Sequence, residues 1–147
     1  MGYRASALGM VIIGADKELA SAGRFESLEI LPLMDLLPRA DFISVHTPRS
    51  EDGRAPIGRE EIAQMKDGVL LVNCARGGVV DEEALLEALE SGKVRGAAVD
   101  VFAEEPPRNP RLVRHPRVVC TAHIGASTGE AQARIGTEIA HILLERL

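Results

Sequence analysis

Residues 69–81 read Val-Leu-Leu-Val-Asn-Cys-Ala-Arg-Gly-Gly-Val-Val-Asp, and this stretch constrains the fold more than any other. A short apolar run rich in Val and Leu reads as a strand buried on both faces, the habit of a parallel sheet. The run stops at Asn73 and Cys74, Arg76 projects beyond its end, and Gly77-Gly78 lets the backbone turn sharply. Asp81 suits the cap of a new helix, with Glu82 and Glu83 in a first turn where acids complement the helix dipole. In open α/β sheets ligands bind at the carboxyl ends of the strands. Arg76 stands at such an end and is a candidate anion-binding group; taken alone, it reads equally well as a loop arginine paired with a surface carboxylate.

The same alternation runs along the whole chain. Residues 2–8 read as helix, stopped by Gly9, and 10–15 as a short buried strand with Asp16 at its end. Residues 17–22 have room for one helical turn, and 28–31 read as a short edge strand. Leu33, Leu36 and Leu37 recur at helical spacing before Pro38. Residues 41–46 form the next strand, closed by Thr47-Pro48, and 59–65 a helix turning Ile62 and Met65 inward. After the central strand, the helix 81–91 carries Leu85, Leu86 and Leu89 on one face and ends at Gly92. Strands follow at 96–101 and 117–121, separated by 103–110, whose three prolines read as irregular. A long helix from about Ser127 to Leu147 presents Ile135, Ile139, Ile142 and Leu143. Strands alternating with helices at this spacing predict the α/β class and a doubly wound parallel sheet.

Composition narrows the function. A net charge of −5, one Tyr, three Phe and no Trp leave neither a basic face nor stacking platforms for nucleic acid. No apolar run approaches the roughly 20 residues of a membrane span. Cys74 and Cys120 are too few for a disulfide scaffold and fit a reduced, cytoplasmic setting, where they are expected to fill buried strand ends. Neither pairs with His46 or His123 at metal-ligand spacing, so no metal is expected.

Strand ends supply Asp16, His46, Arg76, Asp100 and His123, with Glu105 in the loop after Asp100. Each has an ordinary structural explanation, but a parallel sheet brings all of them to one edge, and chemistry needs convergent polar groups in one crevice. An acid ending the second strand of a dinucleotide fold accepts from ribose hydroxyls. A guanidinium grips a carboxylate through two parallel bonds. A His paired with a Glu is an acid–base couple, and it suits a hydroxyl whose carbon gives hydride to a nicotinamide.

Three ordered segments sharpen this: Asn73-Cys74-Ala75-Arg76-Gly77-Gly78-Val79-Val80-Asp81-Glu82, Ala98-Val99-Asp100-Val101-Phe102-Ala103-Glu104-Glu105-Pro106, and His123-Ile124-Gly125-Ala126-Ser127-Thr128. Together they resemble the signatures of the NAD-dependent D-2-hydroxyacid dehydrogenases, over nearly the whole chain. The resemblance implies a Rossmann-like NAD-binding domain, NAD as cofactor and a small 2-hydroxy or 2-oxo acid as substrate, in a homo-oligomer. It implies that Arg76 binds the substrate carboxylate, that His123 is the acid–base residue and that Glu105 pairs with it. Asp16 would bind the adenosine ribose, while Thr47 and the backbone of Cys74, Ala75 and Arg76 contact the cofactor. Asp100 would hold the nicotinamide amide, His123, Ile124, Gly125 and Ala126 line the nicotinamide side, and His46 and Pro48 shape the same wall.

The chain departs from the pattern in places. Ala122 precedes His123 where the family usually has Pro, and Ala15-Asp16-Lys17 stands where Tyr-Asp-Pro is common. The largest departure is that no Gly-x-Gly-x-x-Gly occurs. The chain is therefore expected to be an interior piece, lacking the first strand and its glycine-rich turn. Residues 1–126 make a partial NAD-binding domain, and 127–147 a long helix leading back to a substrate domain that is not here. Catalysis by the piece alone is not expected. The alternatives are another oxidoreductase of the family, a non-catalytic NAD-binding regulator or an inactive remnant.

Overall fold

The computed structural model describes residues 2–16, 19, 24–25, 28–125 and 127–146. Four parallel strands form its main sheet, in the order β4 (Phe42–Val45), β5 (Val69–Asn73), β6 (Val94–Val99) and β7 (Val118–Cys120). Before them come α1 (Gly2–Ala7), β1 (Ile13–Gly14), β2 (Arg24–Phe25), β3 (Leu28–Ile30) and α2 (Leu33–Leu36). Between and after the main strands lie α3 (Arg59–Gln64), α4 (Glu82–Ser91), α5 (Pro110–Val113) and α6 (Gly129–Arg146). This is the α/β arrangement that the alternation predicts.

The core lies on one face of the main sheet. Ile43, Val45, Val69, Leu71 and Val99 of the strands share one buried cluster with Ile62 of α3, Met65 at its end, and Leu85, Leu86 and Leu89 of α4. Leu37 and Leu112 close the same cluster. α4 forms where expected because both ends are chemically marked. Asp81 accepts from the N–H groups of Glu83 and Ala84, both at 3.0 Å, and Gly92 takes the left-handed cap at φ 85°.

Several expectations are corrected. β5 alternates buried and half-buried residues and is not buried on both faces. The opposite face of the sheet is only partly covered by described residues, with Phe42 54% and Val119 70% exposed. The strand expected over 10–15 shrinks to Ile13–Gly14, and Met10 and Val11 are exposed, because among the described residues β1 pairs on one side only, with β3. β3 is not an edge: it sits between β1 and an antiparallel β2 that the sequence pattern did not signal. A separate finding, not a correction, is that among the described residues β1 and β4 each end a sheet and do not pair with each other. β6 begins at Val94, two residues early, because Val94 already pairs with Val69 beyond the Gly92 turn. α5 starts at Pro110, capped by Asn109, at the one helical position that tolerates proline. Cys74 is exposed rather than a small core residue; Asn73 takes the inward position at the end of β5, which turns Cys74 out. The possible turn at 17–22 falls almost wholly outside the described residues.

Two substitutions test this core. Leu89→Ala should cost about 2–5 kcal/mol as a cavity in a fully buried position, and Asp81→Ala about 0.5–2 kcal/mol through loss of the cap. Urea unfolding followed by far-ultraviolet circular dichroism reads both. A Leu89→Ala chain as stable as the parent would contradict the packing described.

Candidate active site

Strand register sets the site. Val45, Asn73, Val99 and Cys120 stand level across the four parallel strands. The residues that follow them, His46, Cys74, Asp100 and Thr121, therefore emerge together at the carboxyl edge, where an open α/β sheet keeps its crevice.

The turn after β5 is built to hold Arg76. Asn73 is only 3% exposed; its Oδ1 accepts from the Ala75 N–H at 3.2 Å, and its Nδ2 donates to the Arg76 carbonyl at 3.3 Å. An Asx side chain folding its own backbone in this way is a turn device. Arg76 is exposed, and its Nη1 donates to the Ala75 carbonyl at 2.7 Å. Gly77 is required by close approach: a Cβ there would lie 1.7 Å from the Phe102 carbonyl oxygen. The turn after β5 is thus pressed against the segment leaving β6, and Glu82 strengthens that contact by accepting from the Ala103 N–H at 2.6 Å.

Asp100 organises the other side. It is 4% exposed and accepts from the Thr121 hydroxyl, from the Ile124 N–H at 2.9 Å and from the Gly125 N–H at 3.0 Å. The Thr121 bond, with those two amides, holds its carboxyl below the ordinary value against the opposite push of burial. These bonds fasten a loop in which His123 adopts φ 54°, a conformation that side chains other than glycine rarely take and that surrounding structure must impose. His123 Nδ1 lies 2.9 and 3.0 Å from the two carboxylate oxygens of Glu105. Glu105 also accepts from the Phe102 N–H at 3.2 Å. The His123 contact first, then the Phe102 amide, hold the Glu105 carboxyl below its usual value. An ionised carboxylate can only accept, so Nδ1 carries a proton and Nε2 of the neutral ring is the open proton acceptor.

Arg76, His123 and Glu105 line one open cavity of about 340 Å³, together with Gly77, Phe102 and Arg49. Arg49 is a residue that the sequence reading missed, since a loop arginine carries no distinguishing local signal. Asn73 and Thr121 were missed as positioning groups; an Asn at a strand end is a turn signal, but Thr121 finds its role only through its contact with Asp100. Asp16 lies two residues past β1 and accepts from the Leu19 N–H at 3.1 Å. The Ser44 hydroxyl and His46 Nε2 are 2.8 Å apart, and the Thr47 hydroxyl donates to the Pro48 carbonyl at 3.4 Å. Asp16, His46, Thr47 and Pro48 do not line this cavity, and Ala126 lies outside the described residues. Desolvation, then the Asp100 carboxylate, push the Cys74 thiol up, the wrong direction for a nucleophile.

The profile of the family described as D-isomer specific 2-hydroxyacid dehydrogenase, NAD binding domain, matches residues 1–125. A D-3-phosphoglycerate dehydrogenase from Pongo abelii is 49% identical over 141 residues, covering 95% of this chain. The chain spans about a quarter of that relative's length, 26%. A glyoxylate reductase from Paecilomyes thermophila superposes with a TM-score of 0.82 at 38% identity, over 92% of this chain and 42% of that one. A D-lactate dehydrogenase from Aquifex aeolicus, solved with NAD and lactic acid, superposes at 0.78 and 30% identity, over 96% of this chain and 47% of that one.

Because the folded pKa of Asp100 lies below its unfolded value of about 3.9, its bonds stabilise the loop above that pH and are lost as pH falls through the lower folded value. Amide exchange at Ile124 and Gly125 should show constant protection factors above about pH 5 and lose them in acid below about pH 4. Protection at Ile124 and Gly125 that persists in Asp100→Ala would show that Asp100 does not hold the loop.

Proposed function

Because the chain belongs to the D-isomer-specific 2-hydroxyacid dehydrogenases, through their NAD-binding domain, we propose that it carries the cofactor site and the proton-transfer couple of an enzyme oxidising a D-2-hydroxy acid to the 2-oxo acid, with D-3-phosphoglycerate as substrate. The observation that carries this reading is His123 on Glu105 beside Arg76 in one cavity. The choice of substrate rests on the 49% identity to a D-3-phosphoglycerate dehydrogenase.

NAD, when bound, supplies the acceptor for the hydride leaving C2 of the substrate. Arg76 grips the substrate carboxylate with its planar fork and sets C2 next to His123. His123 Nε2 takes the proton of the 2-hydroxyl, since Nδ1 is already committed to Glu105. Glu105, held ionised, then stabilises the imidazolium, and the same groups return the proton in the reverse direction. The residues present suit the cofactor: an acceptor-only carboxylate, Asp16, follows β1 for ribose hydroxyls, and the turn of exposed Cys74, half-buried Ala75 and exposed Arg76 stands at the carboxyl edge of the sheet. His46, Thr47 and Pro48 form the neighbouring wall, and Ile124 and Gly125, tied to Asp100, face the nicotinamide side. The chain alone contains no Gly-x-Gly-x-x-Gly turn. We expect no turnover from it by itself, since lost positioning forfeits many powers of ten in rate.

Joined in frame to the remaining residues of a phosphoglycerate dehydrogenase relative, the chain should form NADH from D-3-phosphoglycerate. In that enzyme His123→Ala should lower kcat by roughly 10²–10⁴, and Arg76→Ala should act on both KM and kcat. Steady-state kinetics decide it: unchanged kcat/KM in both variants would remove these residues from the chemistry.

A further inference from the structure

Two guanidinium groups face the same cavity as the His123–Glu105 couple, and the function proposed above uses one of them. Arg49 and Arg76 both line it. Elsewhere on the surface arginines meet carboxylates: Arg39 with Glu29, Arg54 with Glu60, Arg59 with Glu87, and Arg111 with Glu90. Among the described residues neither Arg49 nor Arg76 has such a partner, although Glu51 and Asp52 follow Arg49 closely in the chain. The one carboxylate lining the cavity among the described residues, Glu105, is engaged by His123 and the Phe102 amide.

Arg49 is also seated. Gly78, at φ 76°, lies in the turn that carries Arg76, and a Cβ there would come within 2.9 Å of Arg49 Nε and 3.3 Å of its Nη2. The bare glycine lets the Arg49 guanidinium lie down on the turn after β5. Two cations share the cavity with one carboxylate, Glu105, so with His123 neutral the lining keeps a net positive charge that a bound anion offsets. About 340 Å³ suits a small ligand.

We propose that Arg49 reads a second anionic group on the substrate, so that this chain itself selects 2-hydroxy acids carrying a phosphate or a second carboxylate besides the one held by Arg76. This rests on the dehydrogenase reading above and deepens it. Arg76 takes the carboxylate next to the reacting carbon, and Arg49 takes the distal anion through charge-assisted hydrogen bonds.

The test is binding to the 147-residue chain, read from the arginine Nε–H resonances and from calorimetry, so it does not depend on turnover. The probes are D-3-phosphoglycerate, D-malate, D-glycerate and inorganic phosphate. D-3-phosphoglycerate should bind tighter than D-glycerate by about tenfold or more, the size of one hydrogen bond to a charged group. Arg49→Leu, at an exposed position, should collapse that ratio toward one by weakening D-3-phosphoglycerate far more than D-glycerate. Arg49→Lys should retain part of the ratio, and Arg76→Leu should weaken every 2-hydroxy acid. D-malate matching D-3-phosphoglycerate would assign the second group to any anion, and D-malate matching D-glycerate would assign it to phosphate. A ratio that survives Arg49→Leu, inorganic phosphate binding as tightly as D-3-phosphoglycerate, or no binding of any probe would overturn the proposal. NADH formation by the completed enzyme reports separately on the dehydrogenase reading.

Discussion

One buried carboxylate holds the site together. Asp100 leaves the end of β6 and spends its two oxygens on the Thr121 hydroxyl and the amides of Ile124 and Gly125. A carboxylate removed from water is costly unless its acceptor capacity is filled. Here the filling groups all belong to the segment that leaves β7. The requirement to satisfy Asp100 thus becomes a requirement on where that segment runs, and it sustains a left-handed backbone at His123. Because the loop is held, His123 meets Glu105, which comes from the same strand end as Asp100.

The other half of the site follows from steric closeness rather than charge. Gly77 has no room for a side chain against the Phe102 carbonyl, so the turn carrying Arg76 is fixed relative to the segment that carries Glu105. Asn73 ties that turn from within. Three stretches far apart in sequence therefore meet at one edge for separate physical reasons: parallel register, one glycine contact and one satisfied acid.

Legibility in the sequence tracked these causes. Elements with local marks were readable: α4 through Asp81 and Gly92, and β4 and β5 through apolar runs with turn residues after them. Arg76 and His123 stood out by position beyond a strand end and by residue type, Glu105 joined them through the resemblance, and all three line one cavity. What depended on tertiary neighbours was not legible. The two-residue β1, the antiparallel β2 and the early start of β6 are set by pairing partners, which no local pattern encodes. α5 was hidden because prolines were read as breakers, although Pro110 occupies the first helical position, which needs no N–H donor. Arg49 was invisible because its significance lies in Gly78 beneath it, 29 residues further along the chain.

The most direct measurement of the whole arrangement is the ¹⁵N spectrum of the His123 imidazole in its neutral form. The account predicts a ring protonated at Nδ1, with Nε2 unprotonated and open to the cavity, and loss of this single tautomer when Asp100 is replaced by Ala and the loop is released. A ring protonated at Nε2 in the intact chain would contradict it.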